Sequence, residues 1–148
     1  MTLHLLGAMM LAGALGAGAG ATARLETAAA SGDVQAQFDL GRIHRNGIGV
    51  KADPARACTL IEAAALRSHA AAMFILSNML ADGEGCAQDR ARAKRMLEAA
   101  AEREYPEALQ QIALHARDGT MGFARDEQMA AHMMRKAAHA MKHRAHHD

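Results

Sequence analysis

Apolar residues recur along this chain at helical spacing, and the helices themselves recur. Ala36, Leu40 and Ile43 stand at intervals of four and three, which puts them on one face of a helix predicted over about 33–45. Asn46-Gly47 marks its end, because glycine accepts the left-handed conformation that closes a helix. Asp53-Pro54 marks the next start: aspartate caps free backbone N–H groups, and proline fits the first helical position. Ala57, Leu60, Ile61 and Ala64 form the inward stripe of that second helix. Thirty-six residues later the pattern returns as Ala72, Leu76, Gly83, Asp89, Ala93, Met96, Leu97 and Ala100, with a first helix predicted over 70–81. Gly49 and Gly85 keep the same phase. A third unit carries Ala108, Ile112 and Gly119, with a first helix over 106–117. One inserted residue then shifts Gly122, Asp126, Ala130, Met134 and Ala137 to an offset of 37.

A period in the thirties predicts a solenoid, in which each unit buries its apolar face by stacking on a neighbour. The expected fold is all-α, a short α-solenoid of helix-turn-helix repeats, with full units over about 33–68, 69–104 and 105–141. Gly41, Ser77 and Ala113 share one register position in the first helices, where small side chains let two helices approach closely. Leu25-Glu26-Thr27-Ala28-Ala29 lies 36 before Ile61-Glu62-Ala63-Ala64-Ala65, so a partial unit over 24–32 is expected to cap the stack.

Upstream the phase fails and the character changes. Residues 1–23 hold no Asp, Glu, Lys or Arg; the stretch from Leu3 to Leu15 is apolar, and Ala21-Thr22-Ala23 supplies small residues before Arg24. That order matches a secretory signal peptide over 1–23, although only His4 and the α-amine stand in for its basic start. The expectation is a periplasmic or secreted bacterial protein without a membrane span once the signal is removed.

Composition narrows the function classes. With 148 residues, 22% charged and a net charge of +1, the chain has no overall field to attract nucleic acid. No Trp, one Tyr and three Phe leave no row of aromatic platforms for bases, so no nucleic-acid partner is expected. The same poverty of aromatics requires a core of Ala, Leu, Ile and Met, which suits closely packed helices.

With these positions assigned, the chain resembles the Sel-one-like repeat family, a branch of the tetratricopeptide superfamily. The resemblance rests on the block Ala36-Gln37-Phe38-Asp39-Leu40-Gly41-Arg42-Ile43-His44-Arg45-Asn46-Gly47-Ile48-Gly49-Val50, then Asp53, Ala57, Ala63 and Ala64, and it covers about 24–140. Where the family carries tyrosine, this chain has His44, Leu80 and Ala116, which predicts thinner packing between helices there. The resemblance implies a right-handed stack acting as an adaptor, whose groove holds a peptide or a segment of another protein. Tetratricopeptide-like geometry implies a groove lined by solvent-facing positions of the first helices: Gln35, Arg42, Arg45, Asn78, Gln110 and Arg117. Arginine and amide groups suit peptide backbone and carboxylates.

Two stretches carry other chemistry. Cys58 opens one second helix and Cys86 sits in the following Gly-Glu-Gly-Cys loop, so stacking could pair them; separate small apolar cysteines are the alternative. The basic tail 142–148 continues a row of His139, His143 and His147 at i, i+4 and i+8, which gives a second reading as a periplasmic metal-binding protein. A frayed, solvated tail is the simpler account. A third reading, a cell-wall or β-lactam hydrolase, has been attributed to secreted relatives with regular cysteine pairs, an arrangement this chain lacks. No phosphate loop, Cys-x-x-Cys, His-Glu-x-x-His or serine in a nucleophile turn is present, and neither catalysis nor a cofactor is expected.

Overall fold

A computed structural model describes residues 9–145, with side chains described from Gly18 onward. Seven α-helices follow one another, and no strand occurs among the described residues: α1 (Met9–Ala30), α2 (Val34–Asn46), α3 (Pro54–Leu66), α4 (Ala70–Asp82), α5 (Arg90–Glu102), α6 (Pro106–Asp118) and α7 (Glu127–Arg144). Each packs chiefly on the helix before it and the helix after it. The result is an all-α repeat solenoid of three hairpins, α2–α3, α4–α5 and α6–α7, with α1 laid against the first.

The punctuation works locally as its chemistry requires. Gly47, Gly83 and Gly119 close the first helices in the left-handed conformation, and each donates its N–H back to the final turn. Asp53, Asp89 and Asp126 accept from the backbone N–H of Arg56, Arg92 and Met129 at 3.0, 2.8 and 2.9 Å. Two helix starts use other means. His69 Nδ1 accepts from the Ala72 N–H, and α6 begins after Tyr105 with no side-chain cap.

The main core runs through the stack from Phe38 and Ile61 to Ile112 and Ala137, and a smaller cluster joins Ala29 of α1 to Ala36 and Leu40. His44, Leu80 and Ala116 are all buried, so solvent is excluded at the positions without tyrosine. Glu26 Oε1 lies 3.6 Å from the His44 ring and also takes Arg56 from α3. One unit later Glu62 takes Arg92 from α5. These carboxylates tie successive second helices together.

Gly41 shows why small residues stand between paired helices. A Cβ there would lie 2.6 Å from Ile61 Cδ1 and 2.8 Å from Cγ1. Gly41→Leu is therefore expected to cost about 1–3 kcal/mol by overpacking. Gly49→Ala, whose methyl would meet nothing within 4 Å, should cost no more than the left-handed strain of about 1 kcal/mol. Urea unfolding of both variants checks the contrast.

α1 runs without interruption through the Ala23–Arg24 junction where signal cleavage is expected. The residues that pack on α2 and α3, namely Leu25, Ala28 and Ala29, all follow that junction. No described helix is long and apolar enough to cross a membrane.

Candidate functional site

The first helices α2, α4 and α6 present one face along the stack, and its polar groups fall into two sets. The first set is committed to structure. Arg45 was expected to face a groove but is drawn into a two-point ion pair with Glu84, Nε to Oε1 at 2.9 Å and Nη2 to Oε2 at 2.6 Å. The reason is the neighbouring unit: its Gly83-Glu84-Gly85 loop lies beside the end of α2, a proximity that register alone does not give. The pair holds the Glu84 carboxyl below the usual carboxylate range and pushes the Arg45 guanidinium up. Arg117 occupies the same register in the third unit, where it pairs with its neighbour Asp118 at 2.8 Å. Asn78 Oδ1 accepts from Gln111 Nε2 at 3.0 Å, which links α4 to α6.

The second set mixes one unpaired arginine with groups that already bond to one another. Arg42 is exposed, its guanidinium 5.7 Å from the centre of the Phe38 ring, and it makes no hydrogen bond or ion pair with another side chain among the described residues. Phe38 stacks on His69 with ring centres 4.4 Å apart. His69 accepts at Nδ1, so its proton sits on Nε2, which donates to Gln35 Oε1 at 3.2 Å. Gln35 in turn donates to Asp39 at 3.1 Å. Farther along, Phe74 meets Tyr105 at 5.5 Å, and Arg144 from α7 reaches over the Tyr105 ring while pairing with Glu107 at 2.9 Å. Burial pushes the Tyr105 hydroxyl pKa up. Gln110 stands half-buried on the same face. An aromatic floor edged by arginine and amides offers peptide groups both stacking and charge-assisted hydrogen bonds.

Cys58 and Cys86 form a disulfide with their Cα atoms 5.9 Å apart. It pins the start of α3 to the α4–α5 loop. Its surroundings, including Glu62, Arg92 and Gln88, form an open cleft with no further cysteine or histidine.

The histidine row is only partly placed. His139 and His143 are exposed on α7 with ring centres 4.4 Å apart, while His147 lies outside the described residues. Among the described residues no three His, Cys, Asp or Glu side chains converge as a metal site would need. Sequence reasoning passed over His69 and Tyr105 because their roles depend on aromatic contacts across a unit boundary; the His-Ala-Ala-Ala start of α4 was the available signal for the cap.

Sel1 repeat models match residues 34–69, 70–105 and 106–140. The chain belongs to the Sel1-repeat family. Solved structures that share its fold include two of bacterial origin. A Sel1 repeat protein from Oxalobacter formigenes superposes with a TM-score of 0.72 at 26% identity, over 79% of this chain and 47% of that one. A protective antigen of uropathogenic Escherichia coli with an SLR fold gives 0.72 at 30% identity, over 78% of this chain and 24% of that one. The chain thus spans about half and a quarter of those two proteins. No curated protein matches it. Sel1 repeats generally mediate protein–protein interaction.

Proposed function

We propose that this Sel1-repeat protein is a periplasmic or secreted scaffold that holds a peptide or a segment of another protein against the face of α2, α4 and α6, with no chemistry of its own. Arg42 carries the reading. It is an exposed guanidinium held over an aromatic ring without a carboxylate partner among the described residues, while the neighbouring Arg45 is consumed in an inter-unit ion pair. A side chain kept in that state suits an incoming carboxylate or backbone carbonyl. The Cys58–Cys86 bond supports an oxidising compartment, and the uncharged stretch 1–23 supports export. The bacterial sources of the two similar structures support only the bacterial part of that reading.

The test is capture of crosslinked partners on immobilised protein, quantified by mass spectrometry, with Arg42→Glu alongside. Loss of a charge-assisted hydrogen bond is worth about 1.5–3 kcal/mol, so the variant should recover partners about tenfold less well or worse. Equal recovery by both proteins, or no partner above background, overturns the proposal.

A further inference from the structure

We infer that the outer face of α7 docks a helix of a partner protein, one whose small apolar seam is flanked by carboxylates. Ala131, Met134, Ala138, Met141 and Ala145 recur at alternating intervals of three and four, the spacing of a two-helix seam. After the one-residue insertion, Met134 stands where the earlier units have Ile61 and Leu97, and Ala138 where they have Ala65 and Ala101. Ile61 and Leu97 are 0% exposed, whereas Met134 is 44% exposed. Ala65 and Ala101 are buried, whereas Ala131 and Ala138 lie open. α3 and α5 are each followed by a helix, α4 and α6, that packs on them. On α7 Ala131, Met134, Ala138 and Ala145 of the stripe lie exposed among the described residues, while Met141 is partly buried against the core. At 18 residues α7 is also longer than the 13-residue α3 and α5, which extends the stripe by more than a turn.

Charge selects the occupant. Arg135 takes the register of Glu62 and Glu98, which inverts the sign at the position where Glu62 receives Arg92 and Glu26 receives Arg56. A further unit patterned on the first two, with arginine in the register of Arg56 and Arg92, would bring arginine to arginine there. Two copies of α7 packed antiparallel about Ala138 would set Arg135 of each close to Lys142 of the other. Either arrangement places like charges together at a desolvated edge, which selects against it. α7 carries Arg135, Lys136, Lys142 and Arg144 against the single carboxylate Glu127 in its first turn. A helix with aspartate or glutamate along its flanks satisfies the seam and the charge together.

This surface is separate from the face proposed above, and the experiment keeps them apart. Two stapled, fluorescein-labelled helical peptides share a Leu/Ala seam, one flanked by Glu and one with Lys in place of each Glu. Both are titrated against the full chain by fluorescence anisotropy. The Glu peptide should bind at least about tenfold more tightly than the Lys peptide, with affinity falling as salt rises. Arg135→Glu should reverse the preference, Met134→Asp should abolish binding of both, and Arg42→Glu should leave it unchanged. Circular dichroism confirms that each variant is folded; should Met134→Asp unfold, the Arg135→Glu reversal decides by itself. Equal affinity for the two peptides, no saturable binding up to about 1 mM, or full binding by folded Met134→Asp overturns the inference. So does a dimer in sedimentation that Met134→Asp dissolves, which would assign the stripe to a second copy.

Discussion

Gly85→Ala is expected to destabilise the fold by about 3 kcal/mol, combining a backbone clash with left-handed strain. Gly85 holds φ at 67°, and a Cβ built on it would lie 2.0 Å from Pro54 O, 2.2 Å from Pro54 C and 2.8 Å from Ala55 N. All three are main-chain atoms at the start of α3, so no change of rotamer clears the contact. The loop of the second unit and the helix of the first must separate. Gly49 is the internal control. It occupies the same register one unit earlier, holds φ at 68°, and has no atom within 4 Å of its would-be Cβ. Gly49→Ala should thus show only the conformational cost, about 1 kcal/mol. Urea unfolding of the two variants measures the inter-unit contact as the difference between them. Because a solenoid is held by such nearest-neighbour interfaces, Gly85→Ala should also broaden the transition. Equal losses would mean that the loop does not dock on α3 as described.

Reducing the Cys58–Cys86 bond, or replacing both residues with alanine, should cost about 3 kcal/mol through the regained freedom of the loop it closes. That loop spans a sequence separation of 28. The bond sits one residue from Gly85 and crosses the same boundary, joining the start of α3 to the loop after α4. The two perturbations should therefore be coupled: once the loop is released, Gly85→Ala has less left to disrupt, and the combined loss falls short of the sum. Urea unfolding with and without a thiol reductant, on wild type and Gly85→Ala, gives the four corners of the cycle. An unchanged midpoint on reduction would show that the two thiols are not joined.

How far the residues alone reach is clearest at the turns. Gly47 and Gly83 announced helix ends, and the observed ends fall within a residue of those expected, at Asn46 and Asp82. Asp53, Asp89 and Asp126 announced starts and make the capping bonds. Such signals act over four residues or fewer, so the chain's order is sufficient to read them. Arg45 shows the limit. Its helical position was legible, but its partner Glu84 lies 39 residues away, and only the angle at which one hairpin stacks on the next brings them together. Asn78 and Gln111, 33 apart, are joined by the same geometry. The tyrosine replacements repeat the lesson: His44, Leu80 and Ala116 differ greatly in size, yet neighbouring units close over all three.

The sequence by itself determined the helices, their punctuation, their three-fold recurrence and the family pattern, because apolar spacing, glycine conformation and aspartate capping are local properties. Tertiary structure decided which polar groups are consumed between units and which stay open: Arg45 taken, Arg42 left, Ile61 covered, Met134 exposed. Those outcomes depend on the pitch of the stack, which no single repeat contains and which arises only when one hairpin settles against another.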